Sequence, residues 1–63
     1  MIKFKEIYLV DIETTYTDRR TIQFDTEFGA EHAVTSFIEL FHPEEIELLQ
    51  VRKIYEKYDE RDD

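Results

Sequence analysis

At Gly29 the spacing of apolar residues changes from two to between three and four, and that switch limits the folds open to this chain. Before it, residues 3–16 read as a strand: Tyr8, Val10, Ile12, Thr14 and Tyr16 alternate with Leu9, Asp11, Glu13 and Thr15, and β-branched and aromatic side chains dominate. Tyr16 to Arg20 is short and polar, as a hairpin loop should be, although it lacks the Asn-Gly or Asp-Gly pair of a two-residue turn. Thr21 to Phe28 alternates again, with Ile22, Phe24, Thr26 and Phe28 on one face and Gln23, Asp25 and Glu27 on the other.

After Gly29, the residues Ala30, Ala33, Val34, Phe37, Ile38 and Phe41 form the stripe of an amphipathic helix. Glu31, His32, Thr35, Ser36 and Glu39 take its outer face, and Pro43 predicts a stop at or just after Phe41. The segment Glu44 to Tyr58 admits two readings. Pro43-Glu44-Glu45 has the composition of a helix start. Yet as a strand the segment is apolar on both faces, which suits a strand covered by a helix and by a second subunit. The fold class expected is α+β: a β-hairpin, one helix and a third strand (ββαβ), with the helix on one face of an antiparallel sheet.

With one Gly and one Pro in 63 residues there is no linker, so residues 1–63 read as one domain with a charged tail at about 59–63. A chain this short buries only about 60% of its unfolded surface. It has no cysteine, so disulfides and thiolate zinc sites cannot supplement the core. Dense aromatic packing and oligomerisation remain, and a homodimer is the expectation. No apolar run approaches the roughly 20 residues that span a bilayer, and the N-terminus lacks the apolar stretch of a signal peptide. The expectation is a soluble protein of the cytoplasm with no membrane partner.

Charge narrows the function. The net charge is −8, and between Thr21 and Val51 seven carboxylates occur without a single Lys or Arg. All eight basic residues lie outside that stretch. Folded, such a chain presents a face of negative potential that repels nucleic acid and attracts proteins with a basic binding groove. Direct nucleic-acid binding is disfavoured, because phosphate affinity comes from Lys and Arg. Arg52-Lys53, the basic pair of the last segment, is expected to pair with neighbouring acids. The competing reading of the acidic surplus is a solvated face that confers solubility.

Catalysis has little to stand on. His32 and His42 have no partners at metal-ligand spacing, and a single glycine cannot build a phosphate loop. His32 is expected on the outer helix face and His42 at the helix end. No catalytic residue, metal or cofactor is expected. One cluster stands out: Phe37, Leu40 and Phe41 close the helix beside Glu39, with Glu44, Glu45 and Glu47 following. It reads either as core or as an apolar cup ringed by carboxylates, and two helices meeting in a dimer would allow both.

In the order of its elements, and in the stretches Phe37-Ile38-Glu39-Leu40-Phe41 and Glu45 to Tyr55, the chain resembles the small acidic uracil-DNA glycosylase inhibitors of protein-primed bacteriophages. The resemblance runs from about Tyr8 to Tyr58 and rests on apolar and acidic positions. The connection His42-Pro43-Glu44 is shorter here and the ends are longer. The resemblance implies a homodimeric mimic of double-stranded DNA whose carboxylates stand in for phosphates. It also implies an apolar pocket between subunits that captures the leucine which the enzyme pushes into the duplex. By position, Phe37 and Phe41 would line that pocket and Glu39 would replace a phosphate. Glu31, Glu44, Glu45 and Glu47 extend the acidic set on the charge argument. The resemblance also favours a strand for residues 44–58. The rival readings are another phage-type anti-host protein (anti-restriction, anti-CRISPR, or an inhibitor of transcription or nucleoid proteins) and a small acidic adaptor without mimicry.

Overall fold

The computed structural model describes residues 1–60, so the end of the charged tail lies outside the described residues. Strand β1 runs Ile2–Thr14, β2 Arg20–Phe24, helix α1 Glu27–Leu40 and β3 Ile46–Asp59, with a short 3₁₀ turn at Pro43–Glu45. The strands form one antiparallel sheet in the order β2-β1-β3, and α1 packs on one face of it. The fold is therefore the expected α+β arrangement, and the last segment is a strand.

β1 is the central strand and supplies nearly all of the core. Tyr8, Val10 and Ile12 face the helix and are buried, and Ala30 of α1 settles on them at 0% exposure. Phe24, Ala33, Val34, Phe37 and Leu49 close around that centre. Ile7 and Asp11 are equally buried on the opposite face, where no helix lies. The β1–β3 pairing runs almost unbroken from Ile2↔Asp59 to Thr14↔Ile46, with an irregularity between Glu13 and Thr14. This long ribbon extends past β2 and the helix and stretches the molecule to 51 × 20 × 15 Å.

Three local boundaries differ from the sequence reading, each for a visible reason. The second strand ends at Phe24, not Phe28, because Thr26 is the helix N-cap. Its hydroxyl accepts from Gly29 N at 3.1 Å, so α1 begins at Glu27, three residues before Ala30. Phe28 consequently leaves the strand face and stands 79% exposed on the helix, stacked on His32 with centroids 6.4 Å apart. Ile38, expected on the apolar stripe, is 56% exposed on one flank of the helix. The first strand ends at Thr14 because its hydroxyl accepts from the backbone of Tyr16 and of Thr17. That hydroxyl takes over the turn-forming role that Asn-Gly plays elsewhere. Gly29 allows a close approach: a Cβ there would meet the Phe24 ring and the Thr26 hydroxyl, both at 3.2 Å.

Candidate functional site

The charge segregation read along the chain persists in three dimensions. The six ion pairs among the described residues join Asp59 to the N-terminus, Glu60 to Lys3, Asp25 to Lys5, Glu13 to Arg19, Asp11 to Arg52 and Glu6 to Lys53. None involves Glu27, Glu31, Glu39, Glu44, Glu45 or Glu47. The carboxylates of α1 and of the turn after it, with Glu47 at the start of β3, therefore form an unpaired set, and of the other described acids only Asp18 and Glu56 are without an ion pair. Arg52 and Lys53 do pair with acids, as expected.

Local energetics favour some of these placements, since Glu27 stands in the first turn of α1, and oppose others. Glu27 and Glu31 are one turn apart on one side of the helix, where like charges repel. Glu39 sits in the last helical turn, which contains no basic residue. There the backbone carbonyls point outward, and a negative charge costs about 0.3–1 kcal/mol. Glu44 and Glu45 occupy the 3₁₀ turn, held by a bond from Glu45 N to the His42 carbonyl at 2.9 Å and by one from Thr15 N to the Glu45 carbonyl at 2.9 Å.

The aromatic pair is brought together. Phe37 and Phe41 stack with centroids 6.4 Å apart, and both are half-buried. They form one wall of a groove of about 290 Å³, with Ile12 and Ile22 across from them and Thr14, Thr17 and Arg20 completing the lining. The groove lies within one protomer, between the C-terminal half of α1 and the β1–β2 hairpin. Its lining holds a cation and two hydroxyls but no carboxylate, so the acids do not ring it as the sequence suggested. Leu40 points away from it and is 74% exposed. Glu39 belongs to the exposed side of the helix. Sequence reasoning missed Arg20, Thr14 and Thr17, which belong to the hairpin turn and carry no periodic signal of their own.

A second groove, of about 260 Å³, opens at the other flank of the helix toward β3 and is lined by Tyr8, Glu27, Glu31, Val51 and Lys53. The Lys53 ammonium lies 3.1 Å from Glu6 Oε1 and sits over the rings of Tyr8 and Tyr55, at 5.9 and 5.5 Å. The Tyr8 hydroxyl donates to Glu6 Oε2 at 3.0 Å. These bonds hold the Glu6 carboxyl below its ordinary range, Lys53 first and Tyr8 second, while the carboxylate pushes the Tyr8 phenol and the Lys53 ammonium up.

On the uncovered sheet face, Asp11 collects four hydrogen bonds. Thr21 Oγ1 and Arg52 Nη2 donate to Oδ1 at 2.6 and 2.9 Å, and Gln50 Nε2 and Arg52 Nε to Oδ2 at 2.7 and 2.6 Å. The guanidinium first, then the hydroxyl and the amide, hold this carboxyl far below the usual carboxylate range. A saturated carboxylate is a structural tie and has no lone pair left for a ligand. Among the described residues no cluster of His, Cys, Asp and Glu is arranged to hold a metal ion, and no helix is long and apolar enough to cross a membrane. No protein-family model, characterised protein or solved structure matches this chain.

Proposed function

We propose that this protein is an inhibitor that mimics DNA and blocks the DNA-binding groove of an enzyme, with uracil-DNA glycosylase the leading target and the cytoplasm of a phage-infected bacterium the place of action. One observation carries the reading: the six carboxylates from Glu27 to Glu47 make no ion pair with any described residue, while six ion pairs form elsewhere on so small a surface. Leaving acids unpaired, one of them at the wrong end of a helix dipole, costs stability, and a partner with a basic groove repays that cost on binding. The groove beside Phe37 and Phe41, on the other flank of the helix from Glu27 and Glu31, supplies a receptacle of a size for one aliphatic side chain from the partner.

Arg20 in the groove lining favours a second reading, the acidic adaptor. A cation at an apolar groove suits an ordinary protein interface better than it suits a phosphate surrogate.

Titrating the protein into purified uracil-DNA glycosylase acting on a uracil-containing duplex separates the two. A mimic abolishes excision near stoichiometric inhibitor and does not itself shift the duplex in a binding assay. Full glycosylase activity at tenfold excess removes that target. Competition against other DNA-binding enzymes would then keep mimicry, and its absence across them would leave the adaptor.

A further inference from the structure

The groove between the C-terminal half of α1 and the β1–β2 hairpin has two chemically distinct parts. Ile12, Ile22, Phe37 and Phe41 make its apolar part, and Thr14, Thr17 and Arg20 make its polar part, toward the hairpin turn. The strand register sets Arg20 opposite Ile12 and Ile22 opposite Val10, so both β2 residues share the sheet face on which α1 lies.

Arg20 is unusual among the cations of this chain. Lys3, Lys5, Arg19, Arg52 and Lys53 are each tied to an acid. Of the described Lys and Arg side chains only Arg20 and Lys57 make no ion pair with a described residue, and Lys57 lies far along the ribbon, opposite Phe4. In a sequence with 16 carboxylates to eight cations, a guanidinium beside an apolar groove thus keeps its N–H donors for a ligand.

The hydroxyls add to the donors. Thr14 Oγ1 accepts from Tyr16 N at 3.2 Å and from Thr17 N at 3.1 Å, which uses both of its lone pairs. The 2.9 Å bond between Thr14 Oγ1 and Thr17 Oγ1 is therefore donated by Thr14. Thr17 accepts it and keeps its own O–H to give. The polar part of the groove offers donors and a positive charge, and it has no carboxylate or amide side chain.

We infer that this groove binds a small aliphatic carboxylate, its chain against Phe37, Phe41, Ile12 and Ile22 and its carboxylate on the Arg20 guanidinium and the Thr17 hydroxyl. A planar guanidinium can meet both oxygens of a carboxylate at once. A purely apolar group would fill one part and leave the donors bare. An amine would meet a like charge. A polypeptide C-terminus would bring amide N–H groups, for which the lining side chains hold no carbonyl. The volume of about 290 Å³ is close to the lower end of small-ligand sites, about 300 Å³, so the chain is short. The inference goes beyond the proposed function and does not depend on it, because it needs neither a target enzyme nor a second copy.

Titration of the full chain with octanoate at about 0.15 M salt, where the field of distant acids is screened beyond about 8 Å, tests it by amide-resolved NMR. Saturable shifts should centre on Thr17, Arg20, Ile22, Phe37 and Phe41. Read at the same amides, octylammonium should bind at least about tenfold more weakly, the difference a charge-assisted bond makes. Arg20→Gln should erase that preference, and Phe41→Ala should weaken octanoate while the preference stays. Circular dichroism confirms that both variants are folded. The inference is overturned by an absence of saturable shifts at the groove, by equal affinity for octylammonium, or by unchanged octanoate affinity in folded Arg20→Gln. Tighter binding of N-acetyl-leucine than of octanoate also overturns it, in favour of a polypeptide C-terminus.

Discussion

Arg52 reaches across the sheet from β3 and holds Asp11 of β1 with two bonds, Nε to Oδ2 at 2.6 Å and Nη2 to Oδ1 at 2.9 Å. The Asp11 side chain is 3% exposed, although no helix covers it and Arg52 is itself half in solvent. Its cover is the set of side chains that bond it. Thr21 comes from β2 and Gln50 from β3, so one carboxylate ties all three strands together at their centre. A charge in the middle of Leu9-Val10-Asp11-Ile12 interrupts an apolar run on the central strand, and this tie is what makes it tolerable.

That tie makes stability depend on acid. The folded pKa of Asp11 is depressed, so its contribution is complete above the unfolded value near 3.8 and is lost as pH falls below it toward the folded value. Asp11→Asn should lower the melting temperature at pH 7 and flatten the fall in stability between about pH 4 and pH 2. Thermal melts of both proteins across that range check it, and parallel acid limbs would remove Asp11 as the cause. Glu6, depressed for a related reason, is exposed and screened by solvent, so it adds little.

Thr26 sets the helix boundary, so removing its hydroxyl should matter beyond its size. Thr26→Ala should cost about 1 kcal/mol, which lowers the melting temperature by about 4–8 °C in a domain this small. Thr26→Ser keeps the acceptor for Gly29 N and should stay close to the parent. Melting followed at 222 nm tests both.

The hairpin and the helix, and their order, were legible in the sequence because the apolar period differs so clearly on either side of Gly29. The boundaries were less so. Ile22, Phe24, Thr26 and Phe28 alternate like a strand, but Thr26 caps a helix, and capping is a local competition that periodicity does not register. Residues 44–58 were open between helix and strand because both faces are apolar, and the pairing with β1 from Ile2 to Thr14 decides it. Of the candidate site, the unpaired acids were readable from charge order alone. The groove was not, because it needs Arg20, Thr14 and Thr17 folded back beneath Phe37 and Phe41.

The groove makes separable demands on fold and on binding. Phe41 lies beyond the end of α1 and outside the central core, so Phe41→Ala should remove groove wall with modest loss of stability. If a partner side chain fills the groove, the complex should weaken by about 2–4 kcal/mol, the range for an interface anchor. Phe37 packs against the core, and Phe37→Ala should lose stability as well as affinity. Calorimetric binding and melting on each variant distinguish the two effects. Unchanged affinity in a folded Phe41→Ala protein would show that the groove is not part of the interface.

Glu39 offers the sharpest division between a working acid and a solvated one. It stands in the last turn of α1, where its charge opposes the helix dipole. Glu39→Gln keeps the shape and removes the charge, so it should raise stability slightly, by about 0.3–1 kcal/mol at low salt. If the carboxylate replaces a phosphate in a basic groove, the same variant should associate more slowly with its target while its dissociation rate changes little. The parent's association rate should also fall as salt rises from 0.01 to 0.15 M, over which the screening length shrinks from about 30 to 8 Å, and the variant's slope should be shallower. Stopped-flow kinetics at three salt concentrations, with melting on the same samples, measures all of this. A variant that gains stability and binds as fast as the parent would show that Glu39 does no more than keep the surface wet.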